Sequence, residues 1–106
     1  MVVALNLNVV AGSGGMDKCI KHGYVGDLLS LVIAHGRAEG VWITVQGHIN
    51  TIAVGMMLAT SAIILSEDIK ATDEMIQKAN EENIPLLSTS KTSFEIAVAL
   101  GKYLGL

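Results

Sequence analysis

The sequence predicts an α/β domain: a three-layer α/β/α sandwich on a mostly parallel central sheet. Three observations predict it. The stretch from Val41 to Ser66, VWITVQGHINTIAVGMMLATSAIILS, contains no Asp, Glu, Lys or Arg. It divides at a polar turn, Gln46-Gly47-His48-Ile49-Asn50, and ends on Ala62-Ile63-Ile64-Leu65. A short, continuously apolar run of that kind marks a parallel strand covered on both faces. On either side of this stretch, strand-like and helix-like segments alternate, as in β-α-β units.

Three readings of Val41 to Ser66 compete. The uncharged run is long enough for a transmembrane helix, but Gln46, Gly47, His48 and Asn50 split it. The apolar part beyond them, Ile52 to Leu65, is short for a span and carries Thr60 and Ser61. A single long core helix conflicts with Gly47 and the β-rich ends. A β-α-β unit fits best. Trp42 to Val45 is β-branched and aromatic, as strands favour. Asn50 or Thr51 caps a helix running to about Thr60, and Ala62 to Leu65 is the next strand. The helix, TIAVGMMLAT, is apolar nearly all round, which implies burial on more than one side.

The remaining elements follow in order. Met1 to Ala11 alternates loosely, is rich in Val and Leu, and reads as a strand. Gly12-Ser13-Gly14-Gly15 lacks the residues of a phosphate-binding glycine motif and reads as a turn. Cys19 to Val25 is a second strand weakened by Gly23, with Cys19 expected in or near the core. Asp27 is expected to cap a helix carrying Leu28, Leu29, Leu31, Val32 and Ile33. His35 and Gly36 end that helix. Thr72 caps an amphipathic helix from Asp73 to about Glu82, with acidic residues in its first turn. Ile84 to Leu87 is the last strand. Thr92 and Glu95 have capping-box spacing ahead of a final helix, Ser93 to about Tyr103. No repeat or linker interrupts the chain, so residues 1–106 read as one domain.

Composition narrows the function classes. The chain is 51% hydrophobic and 16% charged, with a formal net charge of −3. A small domain keeps much of its surface in water, so this apolar excess points to a homodimer. The face predicted to meet the second copy is the buried-type helix, through Ile52, Val54, Met56, Met57 and Leu58. The seven basic residues are scattered, without the stripe and stacking aromatics of a nucleic-acid binder. One cysteine excludes a disulfide framework and suits a reducing cytoplasm. The first ten residues do not read as a signal peptide. Histidines at 22, 35 and 48 lack metal-ligand spacing, and no cofactor is implied.

In open α/β sheets ligands bind beyond the carboxyl ends of the strands. Polar residues concentrate at those predicted ends: Asp27; Gln46, Gly47, His48 and Asn50; Ser66-Glu67-Asp68; Ser88, Thr89, Ser90 and Thr92. Helix N-termini there favour an anion, so a nucleotide or phosphate-containing metabolite is the candidate ligand of all but the Ser66-Glu67-Asp68 group. The competing reading is that the same residue types cap helices and satisfy turns. A small enzyme using His48 with Asp27 or Glu67 as acid and base is a third reading, unsupported by any spacing rule.

From Val25 onwards the pattern resembles the DRTGG domain, related to the N-terminal domain of bacterial HPr kinase/phosphorylase. The resemblance rests on Gly26-Asp27-Leu28-Leu29-Ser30, Ile43-Thr44-Val45-Gln46-Gly47, Ala62 to Leu65, and above all Asn83-Ile84-Pro85-Leu86-Leu87-Ser88-Thr89. Two departures stand out. His48-Ile49 replaces the Asp-Arg that gives the family its name, and Ser66-Glu67-Asp68 replaces Thr-Gly-Gly. The resemblance implies a regulatory, dimer-forming domain without catalysis of its own. Family members accompany phosphotransacetylase, CBS-containing pyrophosphatase or HPr kinase. Stand-alone members similar to this chain occur beside iron hydrogenase subunits, which implies a partner enzyme in energy metabolism.

Overall fold

The structure, a computed structural model, describes all residues Met1–Leu106. In chain order the elements are β1 (Asn8–Ala11), β2 (His22–Val25), α1 (Leu29–His35), β3 (Gly40–Thr44), α2 (Ile49–Met57), β4 (Ala62–Leu65), α3 (Asp73–Glu81), β5 (Leu86–Ser88) and α4 (Ser93–Tyr103). One five-stranded sheet runs in the order β1-β5-β4-β3-β2. β2, β3, β4 and β5 are parallel, and β1 pairs antiparallel with β5.

The three β-α-β crossovers all step the same way across the sheet. Crossovers of one hand and one direction deliver their helices to one face, and the core shows it. Trp42, Ile63, Leu65 and Leu86 pack on that face with Val32 of α1, Ile52 and Val54 of α2, and Met75 and Ala79 of α3. The alternate strand residues Val41, Ile43, Ala62, Ile64 and Leu87 pack on the other face with Ile96 and Leu100 of α4, plus Leu5 and Leu7. The sheet is therefore the middle of three layers. Ile63 and Ile64 are wholly buried on opposite faces, so truncating either to Ala costs about 2–5 kcal/mol. No helix is long and apolar enough to cross a membrane.

Several expectations need correction. Only Asn8–Ala11 of the first segment is strand. Met1 to Leu7 folds back through turns, with Leu5 N–H donating to Met1 O (2.9 Å) and Leu7 N–H to Val2 O (2.9 Å). This drives Leu5 and Leu7 onto the face that α4 alone would leave half open. Gly12 has φ +71°, and a Cβ there would stand 1.8 Å from Ile84 O; the glycine turn packs against backbone. Cys19 is exposed, because β2 begins only at His22. α1 starts without a side-chain cap, and Asp27 serves β3 instead.

α2 is the largest departure. His48, extended at φ −128°, occupies its N-cap in place of Asn50 or Thr51, and the helix ends at Met57. Ala59 then turns left-handed at φ 52°, and Thr60 N–H closes on Gly55 O (2.9 Å). Ile52 and Val54 are buried in their own chain's core, whereas Met56 and Met57 are 42% and 67% exposed. The helix is thus buried on one side only. Ile52 and Val54 cannot serve as an interface, and Leu58 is half-buried.

Candidate functional site

The polar residues at the carboxyl ends of the strands form two networks. The first centres on Asp27, in the loop between β2 and α1. Its Oδ1 accepts from Thr44 Oγ1 (2.8 Å) and from Val45 N–H (2.9 Å). Thr44 is 1% exposed, so the bond satisfies a buried hydroxyl that closes β3. Gln46 Nε2 donates to Asp27 O (2.9 Å), which leaves Gln46 Oε1 to accept from His48 Nε2 (2.8 Å). That arrangement puts the proton of neutral His48 on Nε2. Thr51 Oγ1 donates to Gln46 O (2.8 Å), and Thr72 N–H donates to Gly47 O (3.1 Å). A Cβ at Gly47 would lie 2.7 Å from Lys70 O, so this position must be glycine for the loops after β3 and β4 to meet.

The second network joins the loops after β4 and β5. Leaving β4, the chain turns at Glu67 (φ 60°) and Asp68 (φ 58°), with Ile69 N–H on Ser66 O (3.2 Å). Two consecutive positive φ values in a hydrogen-bonded turn are a geometry that favours glycine. The turn is held from across the gap: Glu67 N–H donates to Lys91 O (2.8 Å) and Asp68 N–H to Thr89 O (3.0 Å). Glu67 Oε2 then accepts from Ser93 N–H (2.8 Å), and the Ser66 and Ser93 hydroxyls bond each other (2.7 Å). The positive end of α4 thus already holds an anion, the chain's own carboxylate.

Thr92 and Glu95 complete that helix start. Glu95 N–H donates to Thr92 Oγ1 (3.1 Å) and Thr92 N–H to Glu95 Oε1 (3.0 Å). The bond from the Thr92 backbone, then the Thr92 side chain, with the Lys91 charge adding least, hold the Glu95 carboxyl below the usual glutamate range.

Of the nine predicted ligand residues, Asp27, Gln46, Gly47 and His48 share the first network, and Thr89 and Thr92 belong to the second. Thr89 is buried, and its Oγ1 accepts from Lys91 N–H (3.2 Å). Ser88 is the last residue of β5, while Asn50 and Ser90 are exposed. No side-chain hydrogen bond links the two networks, which meet only through Ser66 N–H on Thr44 O (3.2 Å), and none of the nine lines a cavity. The most enclosed cavity, about 30 Å³, lies at the opposite end of the sheet, between His22, His35, Trp42 and Leu58. His48 makes no hydrogen bond to Asp27's carboxylate or to Glu67. Thr44, Thr51 and Ser93 are absent from the predicted ligand residues, Thr51 being read only as a helix cap. Each is a hydroxyl whose partner lies in another loop or at the far end of a turn, which residue type alone does not reveal.

Residues 43–104, more than half of the chain, match the family model described as HPr Serine kinase N terminus. No curated protein matches the chain.

Proposed function

The chain belongs to the HPr serine kinase N-terminus family, and from that membership we propose a regulatory or interaction domain that works as a homodimer and catalyses no reaction itself. The observation that carries this reading is what the strand-end groups do. Asp27 and Glu67, the carboxylates a His48 mechanism would need, accept hydrogen bonds from Thr44, Val45 and Ser93. They hold loops together, and His48 faces an amide. Exposed Met56 and Met57, with Leu28 and Leu31 of the α1 region, leave apolar surface for a second copy or a partner enzyme.

Within the family the DRTGG type fits best. The two residues that stand where that motif has Gly-Gly are Glu67 and Asp68, and both hold the left-handed backbone that glycine favours. Their replacement has a chemical consequence. A phosphate approaching the start of α4 would have to displace the Glu67 carboxylate, so the sensor reading is the weaker one. Partnership with hydrogenase or another enzyme of energy metabolism remains part of the proposal. A thermal-shift screen with nucleotides and acyl phosphates at millimolar concentration tests the functional reading. The melting temperature should stay unmoved; a rise abolished by Thr92→Ala would make the chain a sensor instead.

A further inference from the structure

We propose that the free edge of β2 pairs antiparallel with the β2 edge of a second copy, in a register centred on Tyr24. The inference rests on the homodimer reading and names its surface. The sheet has two edges. β1 carries a register irregularity between Val9 and Ala11, a device that discourages pairing. β2 pairs with β3 in unbroken register from His22 to Val25. It carries no proline, Lys, Arg, Asp or Glu, so of the usual protections of an edge it has only its shortness, four residues.

The backbone selects the register. His22 and Gly26 donate to Glu39 O and Ile43 O. In a parallel pair, residues facing the neighbour alternate along the strand, so His22, Tyr24 and Gly26 face β3. The N–H and C=O of Gly23 and Val25 therefore point away from the sheet. Centring an antiparallel pair on Tyr24 sets Gly23 opposite the partner's Val25 and Val25 opposite the partner's Gly23. Each pair then exchanges two hydrogen bonds.

Side chains agree with the backbone. Val25 is 47% exposed, and Gly23 offers no side chain on the same face; a Cβ there would lie 2.9 Å from Leu100 Cδ2. The valine of one copy is thus opposite a gap in the other. Beside that gap runs an apolar groove of about 160 Å³, lined by Gly23, Val25, Ile43, Leu100 and Leu104. The same register sets Lys21, exposed just before β2 and within 3.4 Å of its own Glu39, against the partner's Asp27, whose Oδ2 makes no hydrogen bond. Charges of opposite sign meet at both ends, and no like charges face each other. On the other face α1 fully buries only Val32, and Leu28 and Leu31 stay exposed beside the new seam.

Sedimentation of the full chain and its variants tests this. Val25→Asp should weaken dimerisation by about a hundredfold or more, because a charge would enter the seam unpaired. Met56→Lys, on α2, should leave the dimer intact. Dimeric Val25→Asp beside monomeric Met56→Lys would overturn the β2 edge while sparing the homodimer reading. An unmodified chain that is monomeric throughout would remove both. Independently of any loss of fold in Val25→Asp, Tyr24→Cys in a Cys19→Ser background should oxidise to a disulfide-linked dimer. Facing residues at the two-fold would have Cα atoms about 4.5 Å apart, within bridging range. A dimeric chain in which that cysteine stays unlinked contradicts the register.

Discussion

Glu67 offers the sharpest probe of the loops that close the sheet. Its backbone is left-handed at φ 60°, which costs a non-glycine residue roughly 1–2 kcal/mol. Its carboxylate accepts from Ser93 N–H at 2.8 Å, a capping bond of about 1 kcal/mol. Two substitutions separate these effects. Glu67→Ala loses the cap and keeps the strained backbone, so it should destabilise by about 1 kcal/mol. Glu67→Gly loses the same cap but relaxes the backbone, offset by glycine's greater freedom when unfolded, about 0.5–1 kcal/mol. Glycine should therefore be the more stable of the two by about 0.5–1 kcal/mol, the reverse of the ordinary Ala-to-Gly effect. Urea unfolding of both variants measures the difference, which corresponds to roughly 2–8 °C in melting temperature for a domain of this size. Alanine equal to or better than glycine at this site would refute the reasoning.

Other expectations follow from the same networks. Asp27→Ala strips Thr44 Oγ1 and Val45 N–H of their shared acceptor and should cost about 1–3 kcal/mol in chemical denaturation; a neutral result would mean that water replaces the carboxylate. Thr92→Ala removes the cap on Glu95 N–H and should destabilise by about 1 kcal/mol, read as a shift in unfolding midpoint at constant slope. The Glu95 carboxyl titrates below its ordinary value when folded. Its stabilisation is therefore complete above the unfolded carboxyl's range and lost as pH falls through the lower folded value. Glu95→Gln should flatten the fall in stability on acidification below about pH 4.5, and an unchanged slope would count against the capping box as its source. Glu67→Gly also empties the start of α4, so any thermal shift by phosphate compounds should be larger in that variant than in the unmodified chain.

Legibility from sequence followed the range of the interaction. Thr72 accepts from Met75 N–H and Thr92 from Glu95 N–H; both are contacts three residues apart, and both were readable from residue type and spacing. Ala62 to Leu65 was readable because burial on both faces demands an unbroken apolar run. Asp27 reads as a helix cap from sequence because its partners, Thr44 and Val45, lie at the end of the neighbouring strand, seventeen and eighteen residues on. A long-range acceptor role satisfied two donors where the cap would have satisfied one. Met1 to Ala11 alternates like a strand over its whole length, yet Leu5 and Leu7 are drawn onto a face that one helix cannot cover. The apolar circumference of α2 suggested burial all round. Ile52 and Val54 are enclosed by the chain itself, and the exposed Met56 and Met57 are what remains of that signal. At the candidate site the sequence places polar residues beyond the strand ends, and Asp27, Gln46, Gly47, His48 and Thr89 lie in the loops there. Their division into two self-bonded networks was not visible, because it depends on Glu67 reaching Ser93 across a loop boundary.

The most direct test is the solution mass of the unmodified chain, measured by sedimentation equilibrium from micromolar to millimolar concentration. Two paired copies predict twice 11.2 kDa over the upper part of that range. A constant 11.2 kDa at every concentration would contradict both the self-association and the strand edge proposed to carry it.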